Sequence, residues 1–171
     1  LEKPHSGVFS LIDSMDGEDT IKEEKIYVSR RTWTQNKSNN IGTDYTKERM
    51  CVNEDEVVEL FKSYGYKEIF CENLSMKEKV GLFKNAKYVA GCIGGGMSNV
   101  LFCSPDTKVI SINSPEFFPI NDRLKHALNH TNIEMFNHTK FVNKRSGVIT
   151  NDNALSISGG MNSQWEVDTE K

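Results

Sequence analysis

Apolar and polar positions follow one another along the chain in a way that predicts strands separated by helices. Runs rich in β-branched and aromatic residues occupy 25–30, 66–71, 87–93 and 108–113, which is typical of buried strands. Apolar residues recur at helical spacing after Asn53 and after Ser75. Asn53 and Ser75 are each followed three positions later by a glutamate, as in a capping box. This alternation predicts βαβ units and hence an α/β fold, a Rossmann-like three-layer α/β/α sandwich with a mostly parallel sheet.

The remaining segments show weaker patterns. Residues 1–24 are expected to form a loop-rich N-terminal arm, residues 25–143 the Rossmann-like domain, and residues 144–171, rich in Ser, Asn and Gly, a loop, hairpin or tail. Residues 32–46 are polar and read as a long loop of the kind that folds over a ligand. Residues 119–130 are compatible with a helix, and residues 133–136 and 140–142 with a last strand.

Composition narrows the classes of function. The chain has 171 residues, 37% hydrophobic and 26% charged, which favours one soluble globular domain, and no apolar run approaches the ~20 residues of a membrane span. A net charge of −3 disfavours nonspecific nucleic-acid binding. The four cysteines lack CxxC spacing and are expected to be buried thiols, which favours the cytoplasm. Four Asn-x-Ser/Thr sequons leave the secretory-pathway lumen open: Asn36, Asn73, Asn129 and Asn137.

Three consecutive glycines join an apolar strand to an apolar helix start. Because glycine has no Cβ atom, its backbone can take positive φ and approach a ligand closely. Helix-start N–H groups also attract anions, so this junction is expected to bind a phosphate. The alternative is that the glycines only permit close packing of the helix on the strand. The candidate phosphate-binding residues are Gly94, Gly95, Gly96, Met97, Ser98 and Asn99.

Further candidates fall where strands end at the same edge of the sheet, which is where ligands of open α/β sheets bind. Arg30 and Arg31 follow the first strand, and a guanidinium can fork onto a diphosphate. Asn113 and Glu116 follow the fourth, and Glu116 is placed to accept ribose hydroxyls. The alternatives are a surface arginine pair and an exposed loop carboxylate. Arg30 is the stronger arginine candidate.

Two other ligand classes are disfavoured. A dinucleotide fingerprint starting at Gly94 would need glycine where Asn99 stands, which argues against an NAD-linked dehydrogenase. His126 and His130 have a spacing compatible with a metal face, but solvated histidines are the commoner case and no metal site is predicted.

In their order and spacing, the motifs of residues 25 to about 115 resemble glycosyltransferase family 61. Members carry Ser-Arg-Arg at a strand end, an Arg followed by an Asn-Glu helix start, and a Gly-x-x-Gly-x-x-x-(Thr/Ser)-Asn-x-x-Phe segment. The matching residues here are Ser29-Arg30-Arg31, Arg49 with Asn53-Glu54, and Gly91 to Phe102.

The resemblance implies the nucleotide-sugar-binding half of a GT-B type glycosyltransferase. The implied reaction is an inverting transfer of a sugar such as xylose or N-acetylglucosamine, with a UDP-sugar as the favoured donor, to a glycan or glycoprotein hydroxyl. No tightly bound cofactor is implied, and participation of a divalent metal is left open. Arg49 joins Arg30 and Arg31 as a candidate ligand of the diphosphate, and Asp44 and Glu116 are the candidates for the general base.

Two departures accompany the resemblance. The family pattern more commonly has His immediately before the second glycine, where this chain has Ile93, which can neither titrate nor donate a hydrogen bond. Only the donor-binding half of a GT-B enzyme is readable, so a missing N-terminal acceptor domain is expected as a partner. The alternative interpretation is a noncatalytic nucleotide-binding or assembly module that needs a partner domain.

Overall fold

A computed structural model of the chain describes residues 6–17, 22–31, 50–115, 132–143 and 163–170. The α-helices described are α1 (Ser6–Ser14), α2 (Glu54–Ser63) and α3 (Met76–Asn85). The strands described are β1 (Lys25–Val28), β2 (Lys67–Ile69), β3 (Tyr88–Cys92), β4 (Lys108–Ile112), β5 (Ile133–Phe136), β6 (Thr139–Asn143) and β7 (Gln164–Val167). Two 3₁₀ helices span Cys71–Asn73 and Gly95–Phe102, and the second is called the junction helix below.

The first five strands form one parallel sheet in the order β2-β1-β3-β4-β5, which confirms the α/β, Rossmann-like expectation. Because β2 lies on one side of β1 and β3 on the other, the direction in which the sheet is wound reverses between β1 and β3. The carboxyl ends of the strands at such a reversal leave a crevice, which is where doubly wound sheets bind ligands. Arg30 follows β1 and Gly94 follows β3, so both lie at this crevice.

Each face of the sheet has its own apolar core, because alternate strand residues point to opposite faces. Ile26 and Val28 of β1 pack with α3 and the junction helix, and Ile12 of α1 packs against the same cluster. Tyr27 points to the other face, where α2 and the antiparallel pair β6–β7 cover the sheet. The structure therefore has the predicted layers on both sides, with a strand pair contributing to one of them.

The two ends of the chain contain more regular structure than their composition predicts. Within the expected arm, Ser6–Ser14 form an α-helix. Within the expected loop, hairpin or tail, Gln164–Val167 form a strand that pairs antiparallel with β6, and Trp165 is completely buried. None of the described helices has the length and apolar character of a membrane span.

The predicted helix boundaries hold, although one cap differs. Ser75 and Glu78 form the capping box that their spacing predicts. Asn53 precedes α2 without capping it through its side chain, because that side chain instead binds the main chain of Val167. Gly65, just beyond α2, has a φ of 81° and so occupies the left-handed conformation expected of a residue that ends a helix.

Candidate functional site

Arg30 lies across the glycine junction at the reversal point of the sheet. Its Nη1 donates a 2.9 Å hydrogen bond to the carbonyl oxygen of Ile93, which immediately precedes the junction. A Cβ atom placed on Gly94 would lie 3.1 Å from Nε and 3.3 Å from Cζ of Arg30. The guanidinium therefore rests on the backbone of Gly94, and glycine at this position allows that close approach. The structure brings together two features that lie far apart in the sequence.

The glycines of the junction serve different purposes. A Cβ atom on Gly96 would lie 2.8 Å from Cγ1 of Val28, so packing against β1 requires glycine there. A Cβ atom on Gly95 would meet no atom of the described residues within 4 Å, and Gly95 is exposed. Packing therefore explains Gly96 but not Gly95, whose backbone is open to an approaching molecule. Gly94 does not use the positive φ that glycine permits, since it is extended with a φ of 168°; its missing Cβ atom instead allows the close contact with Arg30.

The junction helix begins at the crevice, at the end of β3. The amide of Met97 donates to the carbonyl oxygen of Gly94, as expected for a 3₁₀ turn. The first amides of a helix have no carbonyl one turn back, so those of Gly95 and Gly96 have no partner within the helix. Two N–H groups at a helix start, next to a guanidinium, form a local concentration of positive charge that suits an anion.

The two adjacent arginines differ in their contacts. Arg31 donates from Nε to Glu68 of β2 at 2.7 Å and from Nη1 to Asp55 of α2 at 2.8 Å. The hydrogen bond that Arg31 donates to Glu68 is the largest cause that raises the pKa of Arg31, so the charge of Arg31 is permanent. The side chain thus ties the end of β1 to β2 and α2. A role for Arg31 in binding a diphosphate stays a prediction, and its carboxylate partners point to a structural role.

The other described candidates lie in different surroundings. The side chain of Asn99 donates to the carbonyl oxygen of Gly96 at 2.8 Å and so closes the first turn of the junction helix. Met97 is buried in the core, whereas Ser98 is exposed. Asn113 is 1% exposed and donates to Asn137 at 2.8 Å, which links the ends of β4 and β5. Their predicted binding roles stay predictions.

Glu54 is a member of the site that sequence reasoning did not single out as a functional residue. It opens α2 and is 3% exposed, although its neighbours Asp55 and Glu56 are exposed. Its Oε1 accepts a 2.8 Å hydrogen bond from the main-chain amide of Arg30, and its buried Oε2 has no hydrogen-bond partner among the residues that the structure describes. Burial is the largest influence and raises the pKa of Glu54 to about 7, against the lowering effects of the Arg30 amide and of both arginine charges.

Several predicted residues lie outside the described part of the chain. Asp44 and Glu116, the candidate bases, and Arg49, a candidate diphosphate ligand, are among them, as are residues 32–46 and 119–130. Their roles stay predictions. The described residues contain no group of three or more His, Cys, Asp or Glu side chains arranged to hold a metal ion.

The four cysteines belong to the apolar cores on the two faces of the sheet. Cys51, Cys71 and Cys92 are buried and Cys103 is partly buried, all as free thiols, which confirms the expected state of the cysteines. The hydroxyl of Tyr27 lies 3.4 Å from Sγ of Cys92. Contact with Cys51 and burial raise the pKa of Cys92, and burial raises that of Tyr27, so both remain neutral near pH 7.

Two grooves of about 410 and 200 Å³ run along α2 on the other side of the sheet from the junction helix. Leu60, Phe61 and Ile110 line both of them, and their walls are mainly apolar and aromatic. Neither is lined by a helix start or by the arginines that follow β1. The chemistry suited to a phosphate therefore lies at the open junction rather than in these grooves.

Comparison with known proteins places this geometry in a family. A search of curated proteins finds no match to the chain. The family model described as Glycosyltransferase 61 matches residues 8–110, more than half of the chain, and that range includes Arg30, Glu54 and the glycine junction. The chain therefore belongs to the glycosyltransferase 61 family and is a glycosyltransferase.

Proposed function

We propose that this glycosyltransferase binds the diphosphate of a nucleotide sugar in the crevice between the ends of β1 and β3. Arg30 supplies the positive charge, and the amides of Gly95 and Gly96 supply hydrogen-bond donors. The observation that carries the proposal is the open space above Gly95, where a Cβ atom would touch nothing within 4 Å. A glycine that packing does not require, placed beside a guanidinium at the reversal of the sheet, is explained by the close approach of a ligand.

This arrangement suits the leaving group of glycosyl transfer. As the bond between the sugar and the nucleoside diphosphate breaks, negative charge develops on the phosphate oxygens. Amides and a guanidinium that are already in position stabilise that charge without rearranging. Arg30 is held by Ile93 and by Glu54, so its position is fixed before a ligand binds. Fixed donors therefore favour departure of the nucleoside diphosphate.

The finer features of the reaction extend the same proposal. The donor is a UDP-sugar, carrying for example xylose or N-acetylglucosamine, and the acceptor is a hydroxyl of a glycan or glycoprotein. A general base removes the hydroxyl proton while the oxygen attacks the anomeric carbon from the face opposite the diphosphate, which inverts the configuration. Asp44 and Glu116 remain the candidates for that base. The fold suits the donor-binding half of a GT-B enzyme, which takes its acceptor from a further domain.

Titration calorimetry against UDP-, GDP- and CMP-sugars tests the binding step. The wild-type chain is expected to bind a UDP-sugar. Arg30→Ala is expected to weaken binding by about tenfold to a hundredfold, because it removes a charged hydrogen-bonding group. Lys87→Ala is the matched control, because it removes an exposed cation that pairs with Glu24 near the opposite edge of the sheet. A folded wild-type chain that binds no nucleotide sugar would refute the proposal.

A pair of glycine variants distinguishes loss of binding from loss of folding. Gly95→Ala and Gly95→Val place their side chains in open space, so they are expected to leave the unfolding midpoint unchanged and to weaken binding progressively. Gly96→Ala places a methyl group against Val28 and is expected to lower stability instead. Wild-type affinity in both Gly95 variants and in Arg30→Ala would show that the nucleotide binds elsewhere.

A further inference from the structure

The buried carboxyl group of Glu54 gives the site an electrostatic difficulty. A carboxylate next to the guanidinium that meets a diphosphate would oppose the binding of that anion. Glu54 is close enough to Arg30 for this to matter, since its Oε1 accepts the main-chain amide of Arg30 at 2.8 Å and the charge of the Arg30 guanidinium also acts on its carboxyl group. Burial without water also disfavours the charged form of any carboxyl group. Both effects favour the neutral acid at the moment when a diphosphate binds.

The hydrogen bonds of Glu54 are consistent with the neutral form. Within the described part of the chain, Oε1 accepts from the amide of Arg30, whereas Oε2 is buried and has no hydrogen-bond partner. A buried carboxylate ordinarily needs donors at both oxygens to replace the water that it loses. The Arg30 amide needs only one acceptor oxygen, and a carboxyl group that is protonated on its other oxygen still provides it. Glu54 can therefore fix the backbone of Arg30 without carrying a charge.

The charged groups near Glu54 do not change their own protonation in the neutral pH range. Arg31 is permanently charged and lies between Glu68 and Asp55. Burial alone would raise the pKa of Glu68, but hydrogen bonds from Arg31 and Ser29 lower it below the usual value, so Glu68 stays ionised. The groups that face Glu54 from β1, β2, β3 and the segment before α2 are Tyr27, Arg30, Arg31, Glu68, Cys92 and, through Cys92, Cys51.

We propose that Glu54 is the positioning residue of Arg30 in the donor site, that it acts as a neutral carboxylic acid, and that it takes up a proton when a diphosphate binds. This inference rests on the proposed function, because it requires the anion to bind next to Arg30. The negative charge of the diphosphate makes ionisation of Glu54 still less favourable. By linkage, affinity for the diphosphate therefore falls as the pH rises and Glu54 becomes ionised in the unliganded protein.

The test is calorimetry with UDP-N-acetylglucosamine, whose diphosphate is esterified on both sides and does not titrate in the neutral range. Measurements run from about pH 5.5 to about pH 8.5, in buffers of different ionisation enthalpy, so that protons taken up on binding are counted. For the wild type we expect proton uptake, and an affinity that falls by up to about tenfold per pH unit at the alkaline end. Glu54→Gln is expected to bind without this proton uptake and with a flatter pH profile.

Glu54→Ala separates positioning from charge. It removes both the carboxyl group and the acceptor of the Arg30 amide, so we expect weaker binding at every pH, with rescue in Glu54→Gln, which keeps an oxygen at that position. Circular dichroism at each pH confirms that the variants are folded. Wild-type binding whose pH profile and proton uptake match those of Glu54→Gln would overturn the inference while leaving the donor site intact. If the folded wild type binds none of the nucleotide sugars, the proposed function fails, and this inference fails with it.

Discussion

Replacing Glu54 with glutamine isolates the free-energy cost of ionising a buried carboxyl group. Glutamine has nearly the same shape and keeps an oxygen for the Arg30 amide, but it carries no charge at any pH. Glu54 is 3% exposed, and burial raises its pKa from 4.5 to about 7. The difference between these pKa values corresponds to about 3 kcal/mol. This is a substantial fraction of the stability of a typical domain.

The direction of the pH effect follows from the raised pKa. The folded protein binds the Glu54 proton more tightly than the unfolded chain does, so ionisation favours unfolding. The stabilising contribution is complete below the unfolded-state pKa of 4.5 and is lost as the pH rises through about 7. We therefore expect the wild type to lose about 3 kcal/mol relative to Glu54→Gln between about pH 4.5 and about pH 8.

Urea unfolding followed by circular dichroism, repeated across this pH range, measures the effect. The quantity of interest is the change with pH in the difference between the two unfolding free energies. The contributions of carboxyl groups that both proteins share cancel in this difference. A pH-independent effect of the glutamine side chain on stability cancels as well. Glu56→Gln is the matched control, since Glu56 lies in the same helical turn but is exposed. Parallel pH curves for the wild type and Glu54→Gln would refute the reasoning.

Three further stability measurements by urea unfolding check other features of the fold. Gly96→Ala is expected to lower the free energy of unfolding by about 1–3 kcal/mol, because its methyl group would overlap Val28. Unchanged stability would mean that β1 can shift to make room for the methyl group. Ser75→Ala removes the capping box of α3 and is expected to cost about 1 kcal/mol, and no loss would show that the cap is dispensable. Trp165→Ala is expected to cost about 3–5 kcal/mol and Trp165→Phe much less, because phenylalanine keeps most of the packing and removes a buried indole N–H that has no partner among the described residues. Equal losses in the two Trp165 variants would contradict this.

The sequence predicts the elements whose signals are local. The strands β1 to β4 and the helices α2 and α3 have apolar patterns that repeat over several residues, and capping or glycine signals mark the ends of the helices. The weaker pattern of residues 133–136 and 140–142 predicts one last strand, whereas the structure has two strands there, β5 and β6, in different sheets. The strand β7 has no such support, because only four residues alternate within a polar segment. The strand forms by pairing with β6, and Trp165 becomes buried by packing with residues far earlier in the chain, such as Tyr27 and Ala90. Tertiary contacts of this kind leave little trace in a local pattern.

Glu54 shows a similar limit at the site. Acidic residues are common in the first turn of a helix, where they favour the helix dipole and usually remain exposed. Glu54, Asp55 and Glu56 therefore look equivalent in the sequence, and the last two are indeed exposed. Only the position of α2 against the end of β1 buries Glu54 and places it on the Arg30 amide. The signal that singles it out is the Asn-Glu helix start of the family pattern rather than any property of the helix itself.

The different contacts of Arg30 and Arg31 follow from the topology of the sheet. Neighbouring residues at the end of a strand point their side chains in different directions. At the end of β1 those directions lead to different strands, because the sheet order places β2 on one side and β3 on the other. Arg31 reaches Glu68 of β2 and finds a carboxylate, whereas Arg30 reaches the backbone that follows β3 and finds glycine. The reversal of the sheet thus converts an arginine pair into one structural cation and one cation at the crevice, a distinction that the sequence of the pair does not contain.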